Sequence, residues 1–176
     1  TVDEKGNLEP CLADSWSISE DGLSISFNLR KNAAFSNGKK CGSEEVKESF
    51  IRLMSPESLR CKDYSFITEI ETPDEKTIVF KMDEINVAAL SSVADPWAAV
   101  VGVEEINLKN KPMGTGPYYL SSWVPQEKLV LALNPYYGKE VKNDGFVLVV
   151  MPDLTAEITA LEAGEVDVIL ITGDLA

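Results

Sequence analysis

The chain has 176 residues, 44% of them hydrophobic and 26% charged, a globular balance with length for one sizeable core or two small ones. A formal net charge of −13 opposes binding to nucleic-acid phosphates and anionic lipid surfaces. No apolar run exceeds about six residues, against the roughly 20 that a membrane-spanning helix needs.

The predicted elements begin with a hairpin. Trp16 and Ile18 alternate with serines, Glu20-Asp21-Gly22 makes a turn, and Leu23, Ile25, Phe27 and Leu29 continue at period two. A loop through Ser36-Asn37-Gly38 leads to a helix over Glu44–Met54. Val46, Phe50, Leu53 and Met54 form its apolar stripe, and Ser43 is its expected cap. Ser55-Pro56 ends it. A second hairpin follows: Phe66–Glu71, a turn at Pro73-Asp74-Glu75-Lys76, then Ile78, Phe80 and Met82 on one face. Asn86–Ala94 reads as a short helix stopped by Asp95-Pro96, and Lys109-Asn110-Lys111-Pro112 as a subdomain border.

A third hairpin is predicted from Tyr118–Trp123 and Leu129–Asn134. Phe146–Met151 and Val166–Ile171 are apolar runs of the kind found in strands buried on both faces. Residues 152–165 between them carry a helix with Leu154, Ile158 and Leu161 on one face and Gly164 after its end, long enough for a parallel, right-handed crossover. The expected class is α+β and β-rich, with an α/β character in the last third. No internal repeat is present.

The residues argue against catalysis. There is no histidine, so Ser-His-Asp, Cys-His and HExxH centres have no base or ligand to build on. Adjacent acids such as Glu44–Glu45 and Glu104–Glu105 read as solvated faces, and Lys39–Lys40 and Lys109–Lys111 as solvated loop charges. Cys11, Cys41 and Cys61 are too far apart for a CxxC pattern; their odd number leaves at least one thiol free or paired outside the chain. Gly114-Thr-Gly-Pro117 is a turn rather than a phosphate cradle, because Pro117 lacks an N–H and a strand, not a helix, follows.

Taken in order, several segments resemble the peptide/nickel class of ABC-importer solute-binding proteins. Pro10-Cys-Leu-Ala-Asp-Ser-Trp16 is similar to the family's P-x-L-A-x-S-W. Ser19-Glu-Asp-Gly22 with Phe27-Asn-Leu-Arg30 is similar to its S-x-D-G and F-x-L-R. Phe35-Ser-Asn-Gly38 with Ser43-Glu-Glu-Val46 and Ser49, then Gly114-Thr-Gly-Pro-Tyr118 with Asn134-Pro-Tyr-Tyr137, and finally Leu161-Glu-Ala-Gly-Glu-Val-Asp167, complete the series. Together they cover nearly the whole chain.

The resemblance implies a fragment of a periplasmic-binding-protein-like (type II) fold. Residues 1–112 would be an accessory β-rich subdomain and residues 113–176 the first part of an α/β lobe, with the opposing lobe outside this sequence. It implies a non-catalytic, monomeric component that captures a short peptide or a nickel or other metal chelate outside the cytoplasm. That component, a periplasmic protein or a cell-surface lipoprotein, delivers its ligand to ABC permease subunits. No cofactor and no resident metal are implied. The sensor half of some transcription regulators is the alternative with the same fold.

Nickel-type members hold chelator carboxylates with arginines and line the pocket with aromatics, which marks Arg60, Tyr64, Trp97 and Tyr118 as the candidate ligand-binding residues. Arg60 also reads as a solvated charge after the helix, and Trp97 as a core filler. The sequence departs from the family at Lys40-Cys41, where proline and an aromatic or aliphatic residue are usual, and at Ala98-Ala99, where a second arginine is expected.

Overall fold

The computed structural model describes residues 1–103 and 110–170, and its elements form two antiparallel sheets. The first takes β1 (Ala13–Ile18), β2 (Ser24–Leu29), β3 (Glu69–Glu71) and β4 (Thr77–Lys81) in the order β1-β2-β4-β3. Its register follows from side-chain alternation. Ile25 and Phe27 stand opposite Phe80 and Ile78 of β4, so their side chains share the buried face. Helix α1 (Ser43–Leu53) closes that face with Val46 and Phe50. Phe80 is the hub, its ring centroid 5.5 Å from Phe27 and 4.7 Å from Phe50, while Tyr64 meets Phe50 edge-on at 6.3 Å. Leu53, Met54 and Trp16 pack against this cluster half-buried.

Two details of α1 differ from the sequence reading. Gly42, not Ser43, is its N-cap, and the Glu45 carboxylate reaches back to the Gly42 N–H at 2.9 Å. Ser43 lies inside the first turn, with its hydroxyl donated to the Asp74 carbonyl, so it ties the helix to the β3–β4 turn instead of capping it. The second short helix, α2, covers Ala89–Ala94 only; Asn86 starts a turn ahead of it, and Val87 is exposed.

The second sheet is β5 (Tyr118–Val124), β6 (Lys128–Leu133) and β7 (Gly145–Val149), in that order. Gly145, with φ at +142°, pairs with Ala132 so closely that a Cβ there would lie 2.3 Å from the Leu131 carbonyl oxygen, and only glycine fits. Helix α3 (Leu154–Glu162) follows, its first turn capped by the Asp153 side chain on the Ala156 N–H.

The last third departs from expectation. The apolar run predicted at Phe146–Met151 forms β7 over Gly145–Val149, and that strand is exposed on both faces rather than buried, with Val147 at 64%. Val166–Leu170 pairs with nothing among the described residues, leaving Val168 77% and Leu170 80% exposed; Ile171 lies outside those residues. Among the described residues no parallel crossover forms there. An apolar run becomes a strand only where a neighbour accepts its ladder, and among the described residues β7 bonds β6 alone.

The two sheets are stitched together at one seam. The Ser36 N–H donates to the Gly114 carbonyl at 3.0 Å and the Arg30 guanidinium to the Thr115 carbonyl at 3.2 Å. The Asn134 side chain reaches the Gly116 carbonyl at 2.8 Å, and its backbone N–H the Pro117 carbonyl at 2.8 Å. Arg30 also stacks 5.0 Å over Tyr137. The expected border at Lys109–Pro112 falls just before this seam, and Lys109 itself lies outside the described residues.

Asn134 is 5% exposed, and its oxygen accepts from the Tyr136 N–H while its amide donates to Gly116. Asn134→Ala strands both partners. It is expected to destabilise the full-length protein by about 2–3 kcal/mol, read as a lower urea midpoint with unchanged slope.

Candidate ligand-binding site

Arg60 and Trp97, 37 positions apart in sequence, meet on the surface: the Arg60 guanidinium carbon lies 5.1 Å from the Trp97 ring centroid. Each stands on a short 3₁₀ turn with its own local ties. Arg60 precedes the turn Cys61–Tyr64, donating its N–H to the Ser58 hydroxyl at 3.2 Å and accepting from the Asp63 N–H at 3.0 Å. Trp97 lies within the turn Pro96–Ala98, capped by the Asp95 carboxylate on its own N–H at 2.9 Å. Proline at the first position fixes φ for that turn. The indole is 62% exposed, so it is no core filler.

Tyr64 occupies a different environment. It is 2% exposed and packs between Phe50 and Phe66, anchoring the Arg60 turn to the core. Burial, first, and the Asp95 carboxylate, second, push its phenol up from the ordinary value. Tyr118 starts β5, where its ring meets Phe146 edge-on at 4.9 Å and its hydroxyl donates to the Asn143 side-chain oxygen. The structure therefore brings Arg60 and Trp97 together, sets Tyr64 in the core at the end of the Arg60 turn, and places Tyr118 on the second sheet.

The sequence reading gave no role to Asp63, which pairs with Arg60 at 2.7 Å from Nε to Oδ2. Opposite charges three apart after a helix end are the signal that finds it. Among the described residues no group of acids, cysteines and histidines converges as a metal site.

A cavity of about 510 Å³ opens behind the Trp97 turn, between the face of the first sheet, α2 and the seam, with Trp16, Leu90, Pro96, Leu131 and Tyr118 on its wall. Its charged side chains are the carboxylates of Glu9 and Asp95. Its side chains offer no cation to an anionic ligand, whereas the exposed Arg60 guanidinium beside Trp97 does, so that pair is the candidate for holding a carboxylate.

Residues 7–175 match the family model described as bacterial extracellular solute-binding proteins, family 5, middle region. The chain belongs to that family. Among its curated relatives is the probable D,D-dipeptide-binding periplasmic protein DdpA of Escherichia coli K12, 28% identical over 96% of this chain and 35% of that protein. Among solved structures, the periplasmic binding protein AgaA from A. tumefaciens R10, in complex with agropinic acid, is 30% identical with a TM-score of 0.85, covering 94% of this chain and 35% of the other. A nickel ABC transporter structure from Bacillus halodurans is 34% identical with a TM-score of 0.82, covering 93% and 34%. The chain thus spans about a third of the length of the relatives it matches. The β-rich α+β arrangement of this family-5 chain is part of a type II periplasmic-binding-protein fold. No helix among its described residues is long and apolar enough to cross a membrane.

All three cysteines are free thiols in the fold. Burial, then the nearby Glu45 carboxylate, pushes the Cys41 thiol from 9.0 up to about 12. A thiol reagent at pH 8 should modify the half-buried Cys11 and Cys61 while leaving Cys41 unmodified until the protein unfolds. The raised value also fixes the sign of a pH effect. Between about 9 and 12 the unfolded thiol has lost its proton and the folded one retains it, so this contribution to stability is intact below pH 9 and falls as pH rises to 12. Cys41→Ser should flatten that alkaline decline in a melting series.

Proposed function

We propose that this family-5 protein is the solute-capturing component of an ABC importer, and that it takes a short peptide or a nickel or other metal chelate outside the cytoplasm and presents it to a membrane permease. The observation that carries this reading is the family match along residues 7–175, with relatives whose names specify a D,D-dipeptide, agropinic acid and nickel transport. Residues 1–112 serve as the accessory subdomain and residues 113–176 as the start of the first lobe. An opposing lobe, in the two thirds of the relatives' length beyond this match, closes over the ligand. The protein acts as a monomer. A net charge of −13 keeps it from nucleic acid.

Arg60 and Trp97 form the ligand contact on this side of the cleft. A carboxylate is common to peptide ends and to amino-acid chelators, and a planar guanidinium binds it with two parallel hydrogen bonds. The indole beneath the guanidinium supplies an apolar surface for the rest of the ligand. Tyr64 supports that turn from below, and Tyr118 contributes the aromatic of the second sheet.

Isothermal titration of the full-length protein with short peptides and with nickel chelates tests this. Saturable one-to-one binding to one of them is expected, with Arg60→Ala weakening it roughly 10- to 100-fold through the loss of a charge-assisted pair. Binding to neither class, with a sugar or nucleotide bound instead, overturns the reading.

A further inference from the structure

We propose that Asp63 is a positioning residue that presets Arg60 for a carboxylate and thereby selects ligands with a free carboxyl group; this rests on the reading above that Arg60 meets the ligand. A guanidinium has two edges that can grip a carboxylate, the side edge with Nε and the end edge made by the two terminal nitrogens. Asp63 holds the side edge, with its Oδ2 2.7 Å from Nε. Among the described residues the guanidinium has no other ion pair or hydrogen bond, so its end edge is available for a two-bond contact. The guanidinium carbon sits over the Trp97 ring, 5.1 Å from its centroid. Asp63 thus fixes the direction of the fork, and the indole limits its swing.

The backbone beneath is equally constrained. The turn that carries both Arg60 and Asp63 ends in Tyr64, buried to 2% exposure, and the turn that carries Trp97 continues into the buried Ala98. Arginine is among the side chains with most rotamer freedom to lose on binding, and a partner that removes this freedom beforehand raises affinity without adding a ligand contact. The Arg60 and Asp63 side chains are 44% and 48% exposed, so their pairing adds little to folding stability. Its consequence is geometric.

The test uses the full-length protein and two probe pairs: the dipeptide alanyl-alanine with its C-terminal amide, and nickel–bis-histidine with nickel–bis-histamine, which lacks the carboxylates. For whichever carboxylate probe the unaltered protein binds, Asp63→Ala is expected to weaken binding roughly 2- to 12-fold, the range for freeing one long side chain. Asp63→Asn, whose amide oxygen still accepts from Nε, is expected to stay within about twofold of wild type. The melting temperature should barely move in either variant. The carboxylate-free probes should show no Asp63 effect, and Asp63→Ala should change nothing further on an Arg60→Ala background. Binding that is unchanged or tighter in Asp63→Ala, with Arg60→Ala still weakening it, overturns the positioning role alone and makes Asp63 a bystander or a competitor. Arg60→Ala without effect, or no binding of either carboxylate probe to the wild-type protein, removes the reading of Arg60 and this inference together.

Discussion

Four successive carbonyl groups, those of Gly114, Thr115, Gly116 and Pro117, are each gripped by a donor from another part of the chain. The placement of the second sheet against the first depends on this seam. Donors from the end of the first sheet and the loop after it, Arg30 and Ser36, hold the first two carbonyls; Asn134, just after β6, holds the last two. The isolated bridge between Val101 and Gly114 and the bond from the Gly102 N–H to the Met113 carbonyl add the segment after α2. A glycine-rich loop that cradles phosphate must present N–H groups to its ligand. This one is engaged through its carbonyls by the protein itself, so the motif is a fastener between sheets. The same contacts explain why motifs spaced far apart in sequence belong together: Phe35-Ser-Asn-Gly38 supplies Ser36, and Tyr136 of Asn134-Pro-Tyr-Tyr137 lies over Gly38, where a Cβ would come within 2.8 Å of its ring.

Within the first sheet, a relay of aromatic contacts leads to the candidate site. Phe27, Phe80, Phe50 and Tyr64 touch in succession across the core of the first sheet, and Tyr64 ends the turn that begins at Arg60. An exposed arginine is ordinarily among the most mobile side chains of a protein. Here its turn is bolted to the best-packed part of the fold, while its head group remains in solvent. This division between a rigid base and a wet tip is how binding surfaces keep geometry without burying charge.

Much of the fold was legible from side-chain period alone. Ile25, Phe27 and Leu29, and Ile78 and Phe80, alternate strictly because one face of their sheet meets α1 and the other meets solvent. The same logic failed at Phe146–Met151 and Val166–Ile171. A continuous apolar run announces that both faces want cover, yet it does not say which strands provide it, and among the described residues those covers do not appear. At α1 a local rule was right in kind and wrong by one residue: Ser43 resembles a cap, but the Asp74 carbonyl claims its hydroxyl. The meeting of Arg60 with Trp97 had no periodic signature, since it depends on how two irregular turns are carried by separate elements. Only family resemblance pointed to those two residues, and it passed over Asp63.

The open side of β7 has a practical consequence. Its outer edge carries a row of unpaired amide and carbonyl groups among the described residues, flanked by Phe146, Val147, Leu148, Val149 and Val150, all more than two-fifths exposed. An exposed, uncharged, apolar edge of this kind is a template on which another extended chain can lengthen the sheet. A polypeptide limited to these 176 residues would therefore tend to stack edge to edge into insoluble ribbons at high concentration, and a lysine placed at Val147 would act as a gatekeeper against that stacking.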